Sequence, residues 1–120
     1  EVLMSAGYHH FIIEQGATFG KTLTLKDASG TVINLTGYAS AQMDLRENPE
    51  QTNPVLTLTT GNSRIALGGT AGTVTLTVSA TDTGNLSAQD GVFDLEMTSG
   101  SSVVTRLIEG TYSVRRNISR

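Results

Sequence analysis

The chain has 120 residues, about one domain with one core, and sets 8 Lys and Arg against 11 Asp and Glu for a formal net charge of −3. That balance, with no clustered basic face, argues against a general nucleic-acid binder, whose phosphate neutralisation needs grouped Lys and Arg. With no Cys there is neither a disulfide framework nor a thiolate metal site, so stability must come from packing and strand pairing.

Charged residues make up only 16% of the chain. Thr, Ser, Gly and Val crowd it, and no window repeats apolar residues at helical spacing over three turns, so strands are the expectation throughout. The opening EVLMSAGYHH lacks a charged n-region and an apolar run of signal-peptide length, and no segment reaches the roughly 20 apolar residues of a membrane-spanning helix. A soluble chain is expected, with Met4 a candidate natural start, residues 1–7 a flexible lead and 8–120 a single domain.

Tyr8 to Gln15, aromatic and β-branched, reads as a first strand stopped at Gly16. Thr18 to Lys26 follows, with Phe19, Lys21, Leu23 and Leu25 on one face. Asp27-Ala28-Ser29-Gly30 has the Asp-first, Gly-fourth pattern of a turn, which predicts a hairpin partner in Thr31 to Leu35. Beyond a corner at Gly37, Tyr38 to Glu47 alternates Ala39, Ala41, Met43 and Leu45 with polar residues, the period of a half-buried strand. Small inward Ala39 and Ala41 imply close approach of a facing sheet. Glu47 to Pro54 holds both prolines and is the most exposed loop expected.

Strands are predicted next at Pro54 to Thr59, Arg64 to Leu67 and Thr73 to Ser79, the last with Val74, Leu76 and Val78 inside and Thr73, Thr75 and Thr77 outside. Alternation then fails, and at most one helical turn, capped by Ser79 or Thr81, is expected before Gly91. Gly91 to Met97 and Val103 to Glu109 form a hairpin around Thr98 to Ser101, and Thr111 to Ile118 is predicted to supply an edge strand. The sum is an all-β sandwich of about eight or nine short antiparallel strands.

Candidate chemistry is sparse. His9 and His10 are adjacent on a strand, so their rings point to opposite faces and do not readily share a metal; one half-buried and one solvated ring are expected. Asp90, Asp94 and Glu96 match no calcium-loop spacing, and the last two alternate with Phe93, Leu95 and Met97 as a solvated strand face. No Gly-x-Ser-x-Gly elbow occurs, paired carboxylates exist only as strand-face neighbours, and Gly68 to Thr73 lacks the Gly-Lys-Ser/Thr ending of a phosphate loop. The expectation is a protein that is not an enzyme, with no cofactor, metal or small-molecule substrate. Sequons at Asn34, Asn85 and Asn117 read as chance matches in a Ser- and Thr-rich chain.

Several segments occur in a characteristic order: Glu14-Gln15-Gly16-Ala17-Thr18-Phe19, Leu25-Lys26-Asp27-Ala28-Ser29-Gly30 and Asn34-Leu35-Thr36-Gly37-Tyr38, then Ile65-Ala66-Leu67, Gly72-Thr73-Val74, Asp94-Leu95-Glu96 and Val104-Thr105-Arg106-Leu107. Together they resemble the immunoglobulin-like virion structural proteins of tailed bacteriophages, and are similar to the N-terminal domain of phage baseplate upper proteins. The likeness covers nearly all of the chain after Phe11. Asn34 stands where the pattern favours Asp, and no fibre or receptor-binding region follows, so the likeness implies a free-standing module.

What it implies is an immunoglobulin-like fold and a structural role in the tail, baseplate or neck of a virion assembled in the bacterial cytoplasm. Partners would be other virion proteins or further copies of the chain, with neither nucleic acid nor membrane. Candidate partner contacts are Tyr8, Phe11, Ile12 and Ile13 on the first strand, Glu47 and Pro49 in the exposed loop, and Arg115, Arg116 and Arg120 at the basic end. Whether Ile12 and Ile13 are both buried in their own domain or offered to a neighbour is left open by the sequence. A capsid decoration protein is an alternative in the same class. A carbohydrate-binding sandwich is another, against which stand the absence of Trp and an aromatic content of 5%.

Overall fold

The computed structural model describes residues 7–27, 29–87 and 89–118. Among these residues eight strands form two sheets: β1 Gly7–Glu14, β2 Phe19–Thr24, β3 Tyr38–Arg46, β4 Leu56–Thr59, β5 Ile65–Leu67, β6 Thr73–Val78, β7 Asp90–Ser99 and β8 Val104–Arg115. A 3₁₀ turn, Gly69–Ala71, precedes β6, and one short helix, α1 Ala80–Gly84, follows it.

The larger sheet runs β1-β8-β7-β3-β4 and the smaller β2-β6-β5. In an immunoglobulin-like sandwich β8, β7 and β3 hold the places of strands G, F and C with β4 as an added C′, β2, β6 and β5 those of B, E and D, and β1 is a further strand beside β8. Period-two alternation explains the two layers. Ala41, Met43 and Leu45 of β3, Phe93, Leu95 and Met97 of β7 and Ile108, Tyr112 and Val114 of β8 turn inward, meeting Leu23, Val74, Leu76, Val78 and Ile65 of the smaller sheet.

Four sequence expectations are corrected. Ala39 is exposed, because a register shift between Tyr38 and Ser40 against β7 makes it a bulge residue; only Ala41 is an inward small residue. Thr31 to Leu35 forms no strand: a single bridge joins Lys26 to Val32, while the Asp27 carboxylate accepts from the Ser29 and Thr31 N–H groups and the Asn34 side chain accepts from Thr36 N–H. Backbone bonds continue the contact without a regular ladder, from Asp27 N–H to Thr31 O, Ile33 N–H to Leu25 O and Leu35 N–H to Gly69 O, and Leu35 plugs the core at 1% exposure.

Third, the segments on either side of Gly110 are one continuous strand, β8, and it lies inside the sheet between β1 and β7 rather than at an edge. Its pairing with β7 slips at Leu107, so Leu107 and Ile108 are both buried in succession. Fourth, β1 pairs with β8 in parallel, the exception among otherwise antiparallel contacts. Parallel neighbours need a long connection, and here that connection is the rest of the domain.

The helical turn does form where alternation fails. Ser79 is its N-cap and accepts from Asp82 N–H, and the Arg64 guanidinium reaches the Asp82 carboxylate at 2.6 Å. That contact, a hydrogen bond and an ion pair together, holds the Asp82 carboxyl below its ordinary 3.8. Of the flexible lead expected over 1–7, only Gly7 is among the described residues, where it opens β1.

Candidate functional site

Four of the predicted contact residues, Tyr8, Phe11, Ile12 and Ile13, lie on β1, and its placement follows from three local features. Phe11 and Ile13 face the core, with Phe11 stacked on Phe93 at 4.8 Å between centroids and met edge-on by Phe19 at 5.9 Å. The Gln15 side chain donates to Leu86 O and accepts from Asn117 N–H, pinning the strand end. Gly110 of β8 lies so close to β1 that a Cβ there would collide with the His9 carbonyl.

Along a strand, backbone N–H and C=O groups alternate in direction. Gln15 N–H donates to Arg115 O at 2.9 Å and the His9 carbonyl faces Gly110, so the odd-numbered residues of β1 spend their backbone groups on β8. The even-numbered His10, Ile12 and Glu14 therefore turn theirs to the unpaired side, where the Glu14 carbonyl already accepts from Ala17 N–H at 3.1 Å. Their side chains point to the outer face, and all three are exposed. Ile12, at 43% exposure, is a large apolar residue in the middle of an open edge.

The sandwich has three other edges, and each is blunted. β5 has 3 residues and β4 has 4, with Pro54 just ahead of it. β2 carries Gly20 and the exposed Lys21 at its centre. β1 has 8 residues with no proline and no bulge; by the usual devices that protect an edge, it is the least protected. A groove of about 400 Å³ runs between β1 and β2, floored by Phe11 and Phe19 and flanked by Ile12, Glu14 and Lys21.

The placement of the predicted contacts is uneven. Phe11 and Ile13 are core side chains, at 5% and 2% exposure, and reach a partner only through the strand they anchor; Ile12 is the apolar side chain of that run left outside. The sequence left both fates open for the pair, and the pleat splits them. The Tyr8 backbone is in register with Glu109, and its side chain lies outside the described residues, as does Arg120. Glu47, Pro49, Arg115 and Arg116 are exposed. Arg115 stands beside Glu14 in register without an ion pair between them.

The two His rings are both exposed, against the expectation of one half-buried. His9 stacks on Phe11 at 6.2 Å, and His10 Nδ1 is 2.6 Å from Thr111 Oγ1. Among the described residues no group of three metal-ligating side chains assembles, and no helix is long and apolar enough to cross a membrane.

A second depression, of about 520 Å³, lies on the outer face of the larger sheet. Its charges are engaged with one another. Arg46 pairs with Asp44 at 3.0 Å and donates to Gln51 O and Thr52 O, which fastens the 47–54 loop. Arg106 reaches Asp94 and Glu109, both at 3.3 Å, and so separates two carboxylates that face each other across β7 and β8. Asp94 is half-buried there rather than freely solvated.

Tyr112 is the buried group with an incomplete shell. Its ring lies against Gly91, where a Cβ would collide with it, and its hydroxyl has no hydrogen-bond partner among the described residues. Burial pushes the phenol above its ordinary 10.0; the Gln89 side chain opposes this without completing a bond, and the Glu47 carboxylate adds to it.

Sequence reasoning missed the β2 wall of the groove, Lys21 included, and the role of Gly110. An isolated glycine inside a strand pattern signals a close backbone approach, so Gly110 was findable. Comparison of the chain with protein-family models and with curated proteins gives no match.

Proposed function

We propose that this chain is a non-enzymatic structural component of a tailed-phage virion, in its tail, baseplate or neck, that docks by strand addition at the β1 edge. The observation that carries the docking mode is the 8-residue open edge with Ile12 exposed at its centre beside the groove between β1 and β2. An added strand satisfies the N–H and C=O groups of His10 and Ile12 and the N–H of Glu14, whose carbonyl already accepts from Ala17 N–H, and its side chains can fill that groove. The assignment to a virion rests on the order of motifs from Glu14-Gln15-Gly16 to Val104-Thr105-Arg106-Leu107.

The test is to detect the protein in purified particles by mass spectrometry and to locate it by electron microscopy. It should be found at the tail, baseplate or neck with β1 against a neighbouring strand. Absence from purified virions overturns the proposal, and density on the capsid surface replaces it with a decoration role.

A further inference from the structure

We propose that the strand added to β1 is β1 of a second copy of this chain, antiparallel about a two-fold axis passing beside Ile12 and perpendicular to the sheet. This rests on the reading of β1 as a docking edge and names its occupant. The argument is the self-complementarity of the strand. In that register Ile12 faces Ile12 of the second copy, while His10 faces Glu14 of the second copy and Glu14 faces its His10.

Both the backbone and the side chains favour this pairing. The residues brought opposite are the even-numbered ones whose N–H and C=O groups point away from β8, so the two Ile12 residues can exchange both bonds of a hydrogen-bonded antiparallel pair, and each Glu14 N–H can donate to the opposite His10 carbonyl while the Glu14 carbonyl keeps its bond from Ala17 N–H. A two-fold perpendicular to the sheet keeps outer faces outer, so the two exposed Ile12 side chains cover each other. The Glu14 carboxylate has no cation within ion-pair distance among the described residues, and the second copy brings an imidazole to it on each side. An isologous contact of this kind closes on itself. It merges the two larger sheets into one and leaves no open β1 edge.

The experiment is sedimentation equilibrium of the full chain across micromolar to millimolar concentration, with circular dichroism to confirm folding. Wild type should be a dimer. Ile12→Pro removes an N–H that serves only the open edge, and should give a folded monomer. His10→Glu should raise the dimer Kd by about tenfold, because it sets carboxylates opposite each other twice. Adding Glu14→Lys to His10→Glu should restore association, which a merely structural role for either residue does not predict.

A wild type that stays monomeric at millimolar concentration overturns the inference, as does a dimer indifferent to both Ile12→Pro and the charge series. The outcomes are separable from those for the proposed function. A monomer found in virions with β1 paired to another protein removes only the second copy. An Ile12-dependent dimer absent from virions removes only the virion role.

Discussion

The Thr83 hydroxyl, fully buried, donates towards Ala17 O at 2.8 Å, with Ala80 O an alternative at 3.1 Å, and accepts from Gly16 N–H. It thus ties α1 to the turn that carries the chain from β1 to β2. Thr83→Val keeps the shape and strands those groups, so it should cost about 1–3 kcal/mol, read as a lower urea midpoint with an unchanged m-value. Tyr112 is the opposite case. Its hydroxyl completes no bond, so Tyr112→Phe should leave stability at neutral pH within about 1 kcal/mol of wild type. Because burial raises the folded-state phenol above 10.0, its contribution is intact below that pH and is lost as pH rises from there through the folded value. The Phe variant should lack this alkaline loss in a thermal-melt series.

Among the elements, α1 shows how five residues stay helical when an isolated helix of that length would not. Ser79 caps it, and Arg64 grips Asp82 while also donating to Thr57 O on β4 at 2.8 Å, so the helix is tied to both sheets. Asp82 is held below 3.8 in the folded chain, so the stability it lends is present above that pH and disappears as pH falls through the lowered value. Asp82→Asn should flatten the acid limb of a melting profile, and a variant with the wild-type acid limb would remove this role. At the β1–β8 pair, Gly110→Ala must push the His9 carbonyl away. Overpacking of this kind costs about 1–3 kcal/mol. Hydrogen exchange should localise the damage, with Phe11, Ile13 and Gln15 amides faster and β3 amides unchanged.

Across the whole molecule, the sequence was most legible where one face is apolar. The Val74-Leu76-Val78 stripe of β6 and the Phe93-Leu95-Met97 stripe of β7 both face the core as alternation requires. What alternation cannot convey is which strand lies beside which. A Thr111 to Arg115 segment reads the same at an edge or within a sheet, so the central place of β8 and its parallel contact with β1 were hidden. The Thr31 to Leu35 segment misled because its backbone divides its bonds between Leu25 O and Gly69 O, while the Asp27 and Asn34 side chains take the Ser29, Thr31 and Thr36 N–H groups, so no continuous ladder forms. For the candidate site, the strand was legible and its open side was not, since that depends on the one neighbour β1 does have.

The same parallel contact has a consequence in time. Gly7 is in register with Ile108, so β1 waits for β8 to be synthesised before it has its partner. Loop closure across all the strands between β1 and β8 is slow and is paid before the contact rewards it. β1 should therefore dock after the folding barrier, and Ile13→Val, which trims its buried anchor, should speed unfolding in a stopped-flow chevron while leaving the refolding limb in place. Until β8 emerges from the ribosome, β1 is a sticky strand open on both sides.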